Sequence, residues 1–128
     1  MSVELNHTIV AASDKQASAR FLADILGLAV SPQYGPFIPV EIPNGVTLDF
    51  YDGDGAPRSP QHYAFLVSED DFDAIFGRIK SRGLAYWADP HHKRADEINT
   101  NDGGRGVYWE DPDGHNLEIL TRPYGSGA

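Results

Sequence analysis

The sequence predicts an α+β fold made from one unit used twice, in the order strand, helix, then about three strands. Two helical patterns, each placed after a strand-like alternation, carry the same kind of start and stop signals. Two pairs of polar residues also recur at matching places. His7 and His62 stand near the start of the first strand of each half, 55 positions apart, while Asp49 and Glu118 stand inside the last strand, 69 apart. The difference of 14 is about the size of the polar stretch from Asp89 to Arg105. One insertion therefore reconciles both offsets.

Val3 to Ala12 alternates as a strand, with His7 on the face of Leu5 and Ile9. Ser13 is the expected N-cap, with Gln16 completing a capping box. Ala17, Phe21, Ile25 and Leu28, with Leu22 beside them, form an apolar stripe at helical spacing that Gly27 closes. Pro32, Pro36, Pro39 and Pro43 interrupt the next stretch, so strands near 29–34 and 37–42 are expected to be short or at an edge. Asn44-Gly45 is a hairpin turn signal leading into Val46–Tyr51, a strand carrying Asp49. Residues 52–60 have the composition of a linker. The expectation is a single domain, 1–128, with a first module over about 1–55 and a second over about 60–124.

His62–Val67 reopens the pattern as a strand. Ser68 is the next N-cap, with Glu69, Asp70 and Asp71 at the positive end of the helix dipole. Phe72, Ile75, Phe76 and Ile79 give the buried stripe, and Gly83 stops it. Leu84–Ala88 reads as a strand. The stretch 89–105, with His91, His92 and Gly103-Gly104, reads as a long mobile loop able to act as a lid. Val107–Leu120 is a hairpin around Asp111-Pro112-Asp113-Gly114, and His115 is taken as a turn residue. Tyr124–Ala128 is expected to fray.

The 128 residues suffice for one domain with a real core, and 41% hydrophobic with 23% charged residues is ordinary for a globular protein. A net charge of -9 disfavours nucleic acid and anionic membrane surfaces as partners. Without cysteine there are no disulfides, thiolate zinc sites or cysteine nucleophiles. No basic-then-apolar leader and no long apolar run is seen, so a cytoplasmic location is the expectation.

Sorting each strand into two faces places Val10, Leu48, Phe50, Tyr63, Phe65, Val67, Leu117 and Ile119 on an apolar side, suited to packing under helices. The opposite side carries His7, Asp49, His62 and Glu118. Each taken alone has an ordinary reading, a structural histidine or a solvent-facing acid. Four at equivalent places of a repeat point instead to a shared cation. Two histidines and a carboxylate with open positions form the triad that binds non-haem iron, and similar sites hold Mn, Ni, Co or Zn. A metal would also neutralise Glu118, a carboxylate set between Leu117 and Ile119. Tyr108 and Trp109 read as packing first and chemistry second.

Asn6-His7-Thr8, Phe21-Leu22 with Ile25-Leu26-Gly27-Leu28, His62-Tyr63-Ala64-Phe65 and Val107 through Glu118 together resemble the vicinal oxygen chelate superfamily, the group of glyoxalase I, bleomycin-resistance proteins and extradiol dioxygenases. The resemblance covers nearly the whole chain. It implies two βαβββ modules forming a cup-shaped mixed sheet with helices outside, around a divalent metal. It places metal ligands at His7, His62 and Glu118, with Asp49 where glyoxalase I has a fourth, longer acid. It also implies a homodimer with ligands contributed across the interface. The substrate expected is a small molecule chelating through two neighbouring oxygens, with an oxyanion or enolate stabilised during a lyase, dioxygenase or thiol-transfer reaction. Glu118 and Tyr108 are the catalytic candidates, Tyr108 because it falls where the fosfomycin-resistance thiol transferases carry a tyrosine; Ile9 departs from their threonine. The alternative is a metal-free bleomycin-resistance-type protein that sequesters a drug, stacking it on Trp87, Trp109, Tyr34 or Phe37.

Overall fold

The computed structural model describes residues 2–127. Two compact units divide between Ser59 and Pro60, and each consists of a three-stranded mixed sheet with one long helix. In the first unit, β1 (His7–Ala11) runs parallel to β3 (Thr47–Tyr51), and β2 (Ile38–Glu41) pairs antiparallel on the other side of β3. In the second, β4 (His62–Leu66) runs parallel to β6 (Asn116–Leu120), and β5 (Gly106–Glu110) pairs antiparallel with it. The last strand of each unit is thus the central one. The repeat read from the sequence holds at the level of register: Asp49 pairs with Ile9, two residues after His7, and Glu118 pairs with Ala64, two residues after His62.

The helices are α1 (Lys15–Leu26), packed on β2 and β3, and α2 (Glu69–Ser81). Gly27 ends α1 in the left-handed conformation at φ 76°, which a glycine adopts without a Cβ clash. The start of α1 lies one residue beyond the expected Ser13. Asp14 is the N-cap, its carboxylate accepting from the Ala17 N–H at 3.1 Å. Ser68 caps α2 as expected, accepting from Asp71 N–H at 3.1 Å, with Glu69, Asp70 and Asp71 in its first turn.

The apolar side of both sheets is the core. Val10, Leu48 and Phe50 are buried in the first unit, and Val107, Trp109, Leu117 and Ile119 join Phe72, Ile75 and Ile79 of α2 in the second. Among the described residues, no helix is long and apolar enough to cross a membrane.

Three expectations change. Leu84–Ala88 is not a strand; Trp87 alone makes isolated bridges, to Tyr108 and to Ala95. The corresponding segment of the first unit is likewise reduced to bridges, Val30 with Val40 and Tyr34 with Phe37. The 89–105 stretch is tied down: Asp89 caps the N–H groups of Lys93 and Arg94, Asn99 pairs with Gly106, and the His92 ring stacks on Trp87 at 3.7 Å and 2°. Arg105 closes it, bonding Glu69 at 2.7 Å and Asp73 at 2.8 Å with its guanidinium over the Phe72 ring. The tail from Arg122 to Gly127 is held as well, while Ala128, the last residue of the stretch expected to fray, lies outside the described residues. Asp102 accepts the N–H groups of Gly125 and Gly127.

Candidate metal centre

Strand β6 alternates, so Leu117 and Ile119 enter the core and Glu118 points to the opposite side of the sheet. It is nevertheless 1% exposed. Its neighbours across the sheet are Ala64 on β4 and Tyr108 on β5, and His62 lies one pleat along β4, opposite Asn116. His62 Nε2 is 2.9 Å from Glu118 Oε1, and its side chain is 41% exposed. An ionised carboxylate only accepts, so with Glu118 charged it is Nε2 that carries the hydrogen.

Two phenols complete the surroundings. The Tyr124 hydroxyl donates to Glu118 at 2.6 Å from each carboxylate oxygen, and the Tyr108 hydroxyl lies 3.1 Å from that of Tyr124. The Tyr108 ring stands edge-on to His62 with centroids 5.7 Å apart. Burial, then the bond to Tyr124, then the charge of Glu118 push the Tyr108 phenol far above its ordinary range. Burial and the bond to Glu118 raise Tyr124 too. Both are neutral donors at any physiological pH.

No lysine or arginine bonds to Glu118 among the described residues; its hydrogen-bond partners are an imidazole and a phenol. A carboxylate so fully withdrawn from water ordinarily has a full positive charge against it. The donor set is nitrogen and oxygen only, which suits a first-row divalent ion. His62 and Glu118 therefore fit two positions of a metal site. No group of three His, Asp or Glu side chains converges among the described residues, so this pair is not completed within its own unit.

His7 and Asp49 lie in the first unit. His7 is exposed on β1, opposite Thr47, with Nδ1 held by Asn6 Oδ1 at 2.7 Å. Asp49 is half-buried on β3 between Ile9 and Pro39. Of the expected stacking residues, Trp109 is fully buried in the core and cannot meet a guest, and Trp87 is covered by His92. Trp109 Nε1 is the one buried side-chain nitrogen or oxygen without a partner among the described residues.

The sequence reading missed Tyr124, His92 and His115. Tyr124 stands in a Gly/Ser-rich tail that offers no periodic signal. His92 bonds Asn116 Oδ1 through Nε2 at 2.9 Å and approaches Glu110 at 3.4 Å. His115 is 1% exposed, and its Nδ1 accepts from the Gln61 N–H at 2.8 Å, joining the hairpin turn to the entrance of β4.

Fold and site together define a protein of two repeated strand–helix–strand units with a carboxylate–imidazole pair suited to a metal ion. The family model described as the Glyoxalase/Bleomycin resistance protein/Dioxygenase superfamily matches residues 4–119, and the chain belongs to that superfamily. It is similar to the solved structure "Oxidase ChaP-H2", with 79% identity, full coverage of both chains and a TM-score of 0.96. It is also 31% identical over 124 residues to "Glutathione transferase FosA" of Serratia marcescens, covering 93% of this chain and 81% of that one. To "Metallothiol transferase FosB" of Lysinibacillus sphaericus (strain C3-41) it is 27% identical over 124 residues, covering 91% of this chain and 81% of the relative.

Proposed function

We propose that the chain is a metal-dependent oxidase of small, oxygen-rich molecules, with His7, His62 and Glu118 as metal ligands and Tyr108 as the hydrogen-bond donor beside them. The observation that carries this reading is Glu118, buried to 1% exposure beside His62 with no lysine or arginine bonded to it among the described residues. The oxidase part is supported by the 79% identity to a protein of that description, and the metal by a relative described as a metallothiol transferase. A divalent Fe, Mn, Ni, Co or Zn ion held there would supply Lewis acidity to two neighbouring substrate oxygens.

The chain's own groups have definite tasks. Glu118 offsets cationic charge in a place from which water is excluded. His62 would serve as a ligand through Nε2 in the tautomer that carries its hydrogen on Nδ1, the reverse of the tautomer that donates to Glu118. The Asn6 contact fixes Nδ1 of His7, leaving Nε2 as its ligating nitrogen. Tyr108 keeps its proton and offers it as a hydrogen bond to negative charge developing on a substrate oxygen. His7 belongs to the first unit and the pair to the second, and we assign the complete triad to a homodimer in which ligands come from both chains. Asp49 is assigned no fixed place in the set, being a methylene shorter than a glutamate.

Elemental analysis of tag-free protein tests the metal, and gas consumption tests the reaction. Near-stoichiometric first-row metal, lost in His62→Ala and Glu118→Gln, is expected, as is oxygen uptake with catechol or hydroquinone substrates. Consumption of glutathione with an epoxide and no oxygen uptake would replace the oxidase by a thiol transferase, the reading favoured by the 31% identity to a glutathione transferase. A metal-empty protein that binds an aromatic cationic drug would make it a sequestering protein.

A further inference from the structure

The strap after β6 plays no part in the function proposed above, yet it ends on the same carboxylate. Its course is fixed at several points. Arg122 Nη2 donates to the Ser126 carbonyl, and Ser126 N–H to that of Pro123. Asp102, itself at φ 58°, accepts from Gly125 N–H at 3.1 Å and Gly127 N–H at 3.4 Å. Gly127 lies so close on the Asp102 carbonyl that a Cβ there would overlap it. The result is a tyrosine that is 64% exposed overall, with its hydroxyl turned inward onto Glu118.

That hydroxyl is equidistant, at 2.6 Å, from Oε1 and Oε2. The mid-plane between two carboxylate oxygens is where a chelated cation or a shared proton stands. A phenol there and a cation on the same side of the carboxylate exclude each other. We propose that the Arg122–Gly127 strap is a metal-responsive gate: Tyr124 satisfies Glu118 in the cation-free protein and is released when Glu118 becomes a ligand. The gate rests on the reading of Glu118 as a metal ligand. It explains how a buried carboxylate with no lysine or arginine bonded to it among the described residues is tolerated, since a short charge-assisted hydrogen bond from the phenol reaches both oxygens beside the one from His62 Nε2. It also couples loading at Glu118 to the order of a surface segment fastened at Asp102.

Cobalt(II) titration followed by its visible absorption, on wild type and on Tyr124→Phe, Gly127→Val and Glu118→Gln, tests the gate. Tyr124→Phe removes the competing hydroxyl. Gly127→Val dislodges the strap at Asp102 without touching Glu118. Both are expected to bind cobalt about threefold to tenfold more tightly than wild type, the scale of one hydrogen bond that no longer has to be broken. In wild type, cobalt is expected to speed hydrogen exchange at the Gly125 and Gly127 amides. Equal or weaker binding by Tyr124→Phe, or strap amides unchanged on loading, overturns the gate while leaving the metal reading intact. If wild type and every variant fail to bind cobalt, nickel or manganese, the metal reading itself falls and the gate with it.

Discussion

Asp111 illustrates how much one side chain settles in the hairpin that presents Glu118. Its Oδ1 accepts the N–H groups of Asp113 and His115, both at 2.9 Å, and so holds the turn through Pro112 and Gly114. The residue is 8% exposed, and burial raises its carboxyl above the usual range, against the lowering effect of the His115 N–H. A carboxyl raised by folding binds its proton more tightly in the native state. Its contribution to stability is therefore full below the unfolded pKa and is lost as pH rises through the folded one. Asp111→Asn keeps an acceptor for both N–H groups and removes the buried charge, so we expect it to be at least as stable as wild type at pH 7, with the gap closing in acid. Asp111→Ala forfeits both bonds and should lose about 1–3 kcal/mol at either pH. Urea melts of the three proteins at pH 4 and 7 check this; equal losses in both variants would mean that the charge is immaterial. The sequence announces Asp-Pro-Asp-Gly as a turn but not the burial of Asp111 or His115, because His115 is buried through a partner, Gln61, that is 54 positions away.

Elements defined by local signals were legible, and those defined by long-range contacts were not. Ser68 and its three following acids announced α2 without ambiguity. Ser13 carries the expected capping pattern, but it is Asp14, three residues before Ala17, whose side chain accepts that N–H and starts α1. Leu84–Ala88 has strand-forming residues, but the Tyr86 carbonyl is claimed by the Asp96 N–H and the Ala88 carbonyl by Asn99 Nδ2, so the 89–105 segment replaces a sheet partner. Asn99 is the centre of that arrangement. It is buried, donates to Ala88 O at 2.9 Å, accepts from Asn101 N–H at 3.2 Å and pairs its backbone with Gly106 in both directions. Gly106 permits this, since a Cβ there would stand 2.8 Å from Asn99 Nδ2. Asn99→Ala should cost about 1–3 kcal/mol by leaving the Ala88 carbonyl without its donor, and it should raise amide exchange across 89–105 before global unfolding. Exchange rates unchanged over that stretch would mean that the loop is fastened elsewhere, at Asp89 or Arg105.

At the scale of the molecule, duplication was the most legible property of all, because it rests on two offsets and one insertion and needs no contact to be known. It places a histidine on the outer strand of each unit and an acid two residues beyond it on the central strand. The outer strands also expose apolar side chains, Ile9 on β1 and Leu66 on β4, both more than half exposed. Exposed apolar groups on an unpaired strand edge are a standing invitation to association. The homodimer proposed above, drawing His7 from one chain and the His62–Glu118 pair from the other, would cover them and makes a quantitative demand. His7→Ala and His62→Ala proteins are each expected to be inactive and metal-poor alone. After subunit exchange, random pairing makes about half the dimers mixed, and each mixed dimer carries one intact and one doubly altered site, so about a quarter of all sites should regain metal and activity. If all ligands come from the same chain, every site in the mixture lacks a histidine and nothing returns. Elemental analysis and oxygen uptake before and after mixing read the two outcomes apart, and the exchanged sample should regain both signals in the same proportion, since one set of side chains is responsible for each.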